Sequence, residues 1–248
     1  MEFSFPPHRI AVNMPDSGAL LAEVRRRFRA QEGFALATIN LDHLVKLSRD
    51  PDFRRVYAAQ DLVCADGNPI VWLSKLAGKP VSLVPGSDMV VPLASLAARE
   101  EVPVALMGST DEALSEAGAA LEGRVPGLRI VSRIAPPMGF DPTGPDARRI
   151  LHDIAASGAR LCFVALGAPK QEQFAAFGRE IAPQVGFASI GAGLDFLAGR
   201  QQRAPEWVRA IAMEWVWRMM SNPRRLAKRY FDCIVILPGQ ALRAWRQR

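Results

Sequence analysis

The sequence predicts a doubly wound α/β fold, in which a mostly parallel sheet carries helices on both faces, plus a basic helical C-terminal appendage. Over residues 1–198, short apolar runs alternate with helix-like stretches, and no long antiparallel pattern appears. Residues 199–248 contain 11 Lys or Arg against 3 Asp or Glu, although the net charge of the 248-residue chain is only +6. We therefore expect an almost neutral domain over 1–198 and a basic appendage over 199–248.

Six apolar runs are expected to form the strands, because each is short and ends at a turn. They lie at 34–39, 61–65, 102–107, 128–134, 161–166 and 185–190. Helices are expected between them, where apolar residues recur at helical spacing and small polar residues can cap the first turn. These helices lie at 17–29, 41–48, 70–76, 84–100, 112–121 and 147–156, and another begins at Lys170.

The run 161–166 is typical of a strand buried on both faces, and a Gly and a Pro separate it from the next helix. The resulting corner carries Lys170, Gln171 and Glu172. In an open parallel sheet such corners can face an anionic ligand with backbone N–H groups and a helix N-terminus. We expect these three side chains to meet a ligand, although they could instead form a solvated first turn with Gln and Glu as caps.

Two other strand ends carry polar residues that suit catalysis. Thr38 and Asn40 close the strand at 34–39, where helix capping explains Asn40 equally well. Asp66 follows the strand at 61–65, and its carboxylate could accept a proton from a hydroxyl nucleophile. The local sequence slightly favours the alternative, a turn Asp that bonds its own backbone.

Small residues after two further strands could admit a phosphate or a nucleoside. Gly108 begins a turn that could cradle a diphosphate, or simply precede a helix cap. The segment 191–195 ends in Asp195, whose carboxylate could accept ribose or base hydrogen bonds. It matches only the first part of a dinucleotide fingerprint, because Phe196 replaces the third glycine, so an NAD site is not expected.

Neither a metal site nor a cofactor is expected. Asp50 and Asp52 form an Asp-x-Asp pair, but they follow a helix and straddle a proline instead of following an apolar strand. The three cysteines lack ligand or redox spacing and are expected to be buried reduced thiols, which suggests the cytosol. The N-terminal segment lacks the pattern of a signal peptide.

The basic appendage contains four of the five tryptophans. Trp207, Ile211 and Trp215 recur at helical spacing, so one helical face is apolar and could lie at a lipid interface. Packing of that face on the α/β domain is the alternative. The apolar runs are far shorter than the roughly 20 residues that span a bilayer, so we expect peripheral contact with a membrane surface.

Several motifs in a fixed order resemble the WecG/TagA/CpsF glycosyltransferase family. The most specific are PKQE, RAPEW and EWVWR, and they are accompanied by TIN, ADG, PGSD, GAGLDFLAG and NPRRLAKRY over nearly the whole chain. The resemblance implies an inverting, metal-independent transfer of a sugar from a UDP-sugar to a polyprenyl-diphosphate-linked sugar, in bacterial surface polysaccharide biosynthesis. N-acetylmannosamine, its uronate and glucose are the candidate sugars.

The resemblance also implies where the protein works and how its parts divide. Residues 1–198 would form the catalytic domain, and the appendage would meet the inner face of the cell membrane from the cytoplasm. A homo-oligomer is possible.

Residues that match the family motifs take the roles that the resemblance implies. Asp66 matches the proposed catalytic base, and Thr38 and Asn40 match residues of the same pocket. The matching substrate-binding residues are Gln171, Glu172, Asp195, Arg218, Arg224, Arg225 and Arg229. The family often has an Arg just before its Gly-x-Asp segment, where this chain has Leu83, Val84 and Pro85, so the basic contact is missing or is supplied elsewhere, for example by Lys170. A Trp that often follows PKQE is also replaced, by Gln173 and Phe174.

Two functions from other classes are alternatives. The basic, Trp-rich appendage could bind nucleic acid without catalysis, but the polar strand ends would then have no purpose. An NAD-linked oxidoreductase could use a similar sheet, but the glycine pattern is incomplete. We therefore expect no nucleic-acid partner and no nicotinamide cofactor.

Overall fold

The computed structural model describes residues 1–201, 204–205, 207–208, 213–221 and 223–248, without the side chains of Arg218, Ser221 and Arg225. The strands are β1 (Glu2–Phe5), β2 (His8–Ala11), β3 (Phe34–Ile39), β4 (Leu62–Ala65), β5 (Val104–Gly108), β6 (Ile130–Ile134), β7 (Leu161–Ala165) and β8 (Gly186–Ser189). The helices are α1 (Ser17–Ala30), α2 (Leu41–Arg49), α3 (Pro51–Ala58), α4 (Asn68–Leu76), α5 (Gly86–Arg99), α6 (Asp111–Arg124), α7 (Pro145–Ala156), α8 (Lys170–Ile181), α9 (Gly193–Leu197), α10 (Glu214–Ser221) and α11 (Pro223–Trp245).

Six parallel strands form the central sheet, in the order β4-β3-β8-β7-β5-β6. The chain first places β3 and β4 on one side, crosses to β5 and β6, and then returns to fill the centre with β7 and β8. Because all six strands run the same way, their carboxyl ends meet along one edge, which we call the C-terminal edge. In open α/β sheets ligands bind outside this edge.

Helices cover both faces of the sheet, because successive side chains along each strand point alternately to one face and then to the other. Leu36 and Phe163 point into a core cluster that includes residues of α1, α5 and α6. Their neighbours Ala37 and Val164 point to the opposite face, toward clusters built with α2, α3, α4, α7 and α8. The central strands are therefore buried on both sides, which accounts for their continuously apolar sequences. The prediction of a doubly wound α/β fold is confirmed.

The β1–β2 hairpin was not predicted from the sequence. Its strands pair antiparallel, and Phe3 and Ile10 share a core cluster with Ala244 of α11. Gln247 closes this contact, since its side chain accepts a hydrogen bond from the Glu2 N–H at 3.3 Å and donates one to the Glu2 carbonyl at 2.6 Å. The hairpin and the last helix thus pack together.

The long helix α11 also packs beside α2 and α4. Arg49 of α2 forms a bidentate pair with Asp232 at 2.9 and 3.0 Å, and Arg229 lies 3.2 Å from Asp42. The described part of the basic appendage is therefore helical, as expected, and its last helix lies against the α/β domain. Ile211, predicted to share an apolar face with Trp207 and Trp215, lies outside the described residues. The boundary at residue 198 stays a prediction. None of the helices within the described ranges is long and apolar enough to cross a membrane.

Candidate active site

Asp66 stands at the C-terminal edge with two polar neighbours. The Thr38 hydroxyl and the Asn40 amide each donate to the same carboxylate oxygen, Asp66 Oδ2, at 3.5 Å. The pairing of β3 with β4 sets this distance, because Ile39 lies opposite Ala65 and the Asp66 N–H donates to the Ile39 carbonyl at 2.8 Å. The structure therefore brings together the three residues predicted for the catalytic group.

Asn40 is held in place by the first turn of α2. Its side-chain oxygen accepts from the His43 N–H, and His43 Nδ1 accepts from the Asn40 N–H, both at 3.2 Å. This reciprocal capping box satisfies two backbone donors and orients the amide. Gly67, at φ +100°, then turns the chain directly after Asp66 into α4. Asn40 therefore both caps a helix and contacts Asp66, so its two predicted roles coexist.

The three polar residues of the corner after β7, Lys170, Gln171 and Glu172, differ in their exposure to solvent. Lys170 is exposed, and its ammonium group donates to the Phe140 carbonyl at 2.8 Å, which ties down the loop between β6 and α7. Gln171 is buried and accepts from the Gly191 N–H at 3.1 Å. Glu172 is fully buried and accepts from Gln171 Nε2 at 2.8 Å. Only Lys170 of the three extends into solvent.

Sequence reasoning missed the residues that surround Glu172. His43 Nε2 lies 3.4 Å from Glu172 Oε1, and Gln60 donates to the Glu172 carbonyl at 3.1 Å. Tyr57 packs against the His43 ring, with centroids 5.6 Å apart. Burial raises the pKa of Tyr57 well above its ordinary value, and the charges of Glu172 and Asp66 raise it further. The one available signal was the spacing of His43 three residues after a capping Asn.

Asp195 lies at the start of α9, near the turn that follows β5. Its Oδ1 accepts from the Ser109 hydroxyl at 2.7 Å and its Oδ2 accepts from Gln201 Nε2 at 3.0 Å. Gly108, directly before Ser109, has φ +118°, and a Cβ there would lie 2.4 Å from the Ala165 carbonyl oxygen of β7, so the end of β5 requires glycine. The predicted diphosphate turn and the predicted nucleoside carboxylate therefore meet at one place on the C-terminal edge.

The structure describes the four arginines that were predicted to bind substrate to different extents. The side chains of Arg218 and Arg225 lie outside the described residues, and Arg224 is exposed. Arg229 is paired with Asp42, two residues beyond Asn40. Burial alone would raise the pKa of Asp42, but the charges of Arg229 and Lys46 lower it below its ordinary value. Asp42 therefore stays ionised and holds Arg229 beside the first turn of α2.

Metal ligands do not converge in the part of the chain that the structure describes, where no group of three or more His, Cys, Asp or Glu could hold an ion. Asp50 accepts from the Phe53 N–H at 3.0 Å and caps α3, while Asp52 is exposed. The three cysteines are buried and unpaired by disulfides. Burial raises the pKa of Cys64 to about 12, so its thiol is unreactive at neutral pH.

The site as a whole combines a half-buried carboxylate, polar side chains and small-residue turns along one edge of an open α/β sheet. This arrangement is compatible with group transfer, because a carboxylate and small-residue turns before helices lie on the same edge. The model of the glycosyl transferase WecG/TagA/CpsF family matches residues 7–248.

A relative in Bacillus spizizenii is 30% identical over 196 residues, which cover 78% of this chain and 74% of the relative. It is named N-acetylglucosaminyldiphosphoundecaprenol N-acetyl-beta-D-mannosaminyltransferase. Both findings agree in class with the chemistry of the site. The chain belongs to the WecG/TagA/CpsF family of glycosyltransferases.

Proposed function

We propose that this protein transfers a sugar from a UDP-sugar to a sugar carried on a polyprenyl diphosphate, with inversion at the anomeric carbon and with Asp66 as general base. The observation that carries the proposal is the meeting of Asp66 with Thr38 and Asn40 at the C-terminal edge. The name of the Bacillus relative supports N-acetylmannosamine as the first donor sugar to test, ahead of its uronate and glucose.

The proposed reaction is a single displacement. The acceptor hydroxyl gives its proton to Asp66 as its oxygen bonds to the anomeric carbon, and the bond from that carbon to the diphosphate oxygen breaks on the opposite face. UDP leaves with the electron pair, so negative charge grows on its diphosphate. Stabilisation of that charge requires fixed donors or cations.

Arginine and backbone donors are the proposed source of that stabilisation. Arg218, Arg224, Arg225 and Arg229 lie in the appendage, and a guanidinium group binds phosphate oxygens with two parallel hydrogen bonds. The turn at Gly108 adds N–H groups beside Asp195, and Lys170 adds a cation at the corner after β7. With these groups we propose that transfer does not need a divalent metal.

The lipid-linked acceptor calls for a membrane surface near the site. We propose that the appendage supplies it through an exposed apolar face of α11, formed by Phe231, Ile234, Val235, Leu242 and Trp245. Trp72 and Leu76 of the neighbouring helix α4 are also exposed. Apolar residues flanked by Lys and Arg suit an anionic bilayer, so we propose a peripheral location on the cytoplasmic face of the cell membrane.

The first experiment is thermal unfolding of the protein with UDP, GDP or NAD, each with and without EDTA. A ligand that binds only the folded state raises the melting temperature. We expect UDP alone to raise it, and EDTA to leave the shift unchanged. Transfer is then measured as UDP release from each candidate donor, with a short polyprenyl-diphosphate-linked N-acetylglucosamine as acceptor.

The outcomes separate this function from its alternatives. A shift with NAD in place of UDP would favour an oxidoreductase. Tight, strongly salt-dependent binding to oligonucleotides would favour the nucleic-acid-binding function. Loss of the UDP shift on chelation would contradict metal independence, and no shift with UDP would contradict the proposed donor.

A further inference from the structure

Two ionisable side chains lie buried directly behind the C-terminal edge. Glu172 is 0% exposed and His43 is 4% exposed, and their closest polar atoms lie 3.4 Å apart. Burial of a carboxylate is costly unless other groups bond to it. The polar contacts of this pair lead outward to the candidate site in two directions.

The first set of contacts leads from Glu172 to the turn at Gly191, on the part of the C-terminal edge that carries Asp195. Glu172 Oε1 accepts from Gln171 Nε2 at 2.8 Å, while Gln171 Oε1 accepts from the Gly191 N–H at 3.1 Å. An amide has one donor end and one acceptor end, so the acceptor at Glu172 fixes which end of Gln171 faces Gly191. Gly191 begins the turn that leads to Asp195. Glu172 therefore sets the orientation of the amide that anchors this turn.

The second direction leads from His43 to the proposed base. His43 Nδ1 accepts from the Asn40 N–H at 3.2 Å, and on the other side of the ring His43 Nε2 lies 3.4 Å from Glu172 Oε1 without a hydrogen bond between them. The Asn40 side chain in turn donates to Asp66 Oδ2. The ring thus lies between the buried carboxylate and Asn40, the residue that contacts Asp66.

The cluster is not built for stability alone. Among the described residues, the buried side-chain atoms without a hydrogen-bond partner include His43 Nε2, Tyr57 Oη and Glu172 Oε2 of this cluster. Unpartnered buried polar atoms destabilise a fold, and an apolar side chain of similar size in their place is often neutral or stabilising. The presence of a carboxylate here is therefore better explained by the two outward connections than by packing.

We propose that His43 and Glu172 are positioning residues, which jointly fix Asn40 beside Asp66 and Gln171 beside Gly191. Neither residue touches the substrates. The pair sets the geometry of the base and of the nucleotide-side turn from one point behind the sheet edge. This inference rests on the proposed function, because it takes Asp66 as the general base and the turn from Gly191 to Asp195 as part of the donor site.

Matched variants test the pair through the acceptor atoms that it provides. Glu172→Gln keeps the acceptor oxygen Oε1 and replaces Oε2, which has no hydrogen-bond partner, with an NH2 group. Glu172→Met removes both oxygens. His43→Asn keeps an acceptor at the position of Nδ1, whereas His43→Leu removes it. Tyr57→Phe is the control, since it removes only an unpartnered hydroxyl from the same cluster.

We expect a split between the kinetic constants. His43→Leu should lower kcat about tenfold with little change in KM for the donor, because one hydrogen bond to Asn40 is lost. Glu172→Met should lower kcat by a similar factor and also raise the donor KM, because it frees Gln171 as well. Glu172→Gln, His43→Asn and Tyr57→Phe should each stay within about threefold of the wild-type kcat. The melting temperatures of the five variants should not rank in the same order as their kcat values.

Three results would overturn the inference. One is unchanged kcat in folded His43→Leu and Glu172→Met. Another is a fall in kcat that follows the fall in melting temperature across all five variants, which would indicate a purely structural cluster. The third is equal loss in Glu172→Gln and Glu172→Met, which would assign the effect to the charge of Glu172. Asp66→Asn is assayed in parallel, and full activity of that variant would instead contradict the proposed function.

Discussion

Asp66 combines two properties that a general base needs, which are access and orientation. It is half-buried at the end of β4, and Thr38 and Asn40 direct hydrogen bonds at one of its oxygens. The two hydrogen bonds hold the carboxylate in a fixed orientation at the end of β4. Of the other candidate carboxylates, Asp50 accepts from the Phe53 N–H and caps α3, and Asp195 accepts from the Ser109 hydroxyl.

Asp66→Asn tests the role of this carboxylate directly. The amide keeps the size of the side chain but cannot take the acceptor proton, so we expect turnover to fall by roughly 10²–10⁴-fold. Folding should be unchanged, as checked by circular dichroism and thermal unfolding. Near-normal turnover by a folded variant would remove Asp66 from the mechanism, whereas a retained UDP-induced melting shift would show that the donor site is intact.

Some residues of the candidate site could be predicted from the sequence, and others could not. Thr38, Asn40 and Asp66 could be predicted because each follows an apolar run, and parallel strands bring such ends together. His43 and Tyr57 could not, since their role depends on Glu172, which is more than 100 positions away along the chain. The burial of Glu172 was also missed, because the first turn of a helix usually faces solvent.

At the scale of the elements, close backbone contacts fix how strands and helices meet. Gly33 precedes β3, and a Cβ on it would lie 2.3 Å from the Val185 carbonyl oxygen and 2.5 Å from that of Pro183. Gly123 lies in α6, and a Cβ there would meet nothing within 4 Å. The same substitution is therefore expected to have opposite effects at the two positions.

Gly33→Ala should lower the free energy of unfolding by about 2 kcal/mol, because backbone atoms must move apart to admit the methyl group. Gly123→Ala should raise it by about 0.5–1 kcal/mol, because alanine loses less backbone entropy in a helix. Urea unfolding followed by circular dichroism measures both. A stable Gly33→Ala variant would mean that β3 and the segment before β8 separate more easily than their contact indicates.

Elements with a clear local pattern were the ones that sequence could predict. All six strands of the parallel sheet were expected, since each is a short apolar run between helical patterns. The β1–β2 hairpin was missed because its four-residue strands alternate only briefly, and its apolar side becomes a core only when Ala244 packs on it. Helix α11 was expected only as a basic helical tail.

At the scale of the whole molecule, α11 is apolar on two sides. Cys233, Gln240 and Ala244 are buried against the α/β domain, whereas Phe231 and Trp245 are more than half exposed. Removal of the appendage would therefore uncover part of the core as well as the proposed membrane surface. Substitutions on the exposed side alone are a cleaner test of membrane contact.

A double variant, Phe231→Ser with Ile234→Ser, should weaken binding to vesicles that contain anionic lipid, since both side chains lie on the exposed apolar face of α11. Vesicle co-sedimentation at low and physiological salt measures this. Met138→Ser is the control, because Met138 is a fully exposed apolar residue in the loop between β6 and α7. We expect the melting temperature of all forms to be similar. Unchanged sedimentation of the double variant would move the membrane contact to another surface.

The bond between Glu2 and Gln247 joins residues that are made far apart in time. At about 5–20 residues per second, a ribosome reaches Gln247 on the order of 10–50 s after it has made Glu2. During that interval the β1–β2 hairpin exists without the helix that covers Phe3 and Ile10. The surface proposed to meet the lipid is therefore made after all six strands of the central sheet, so it forms only once the sheet can have folded.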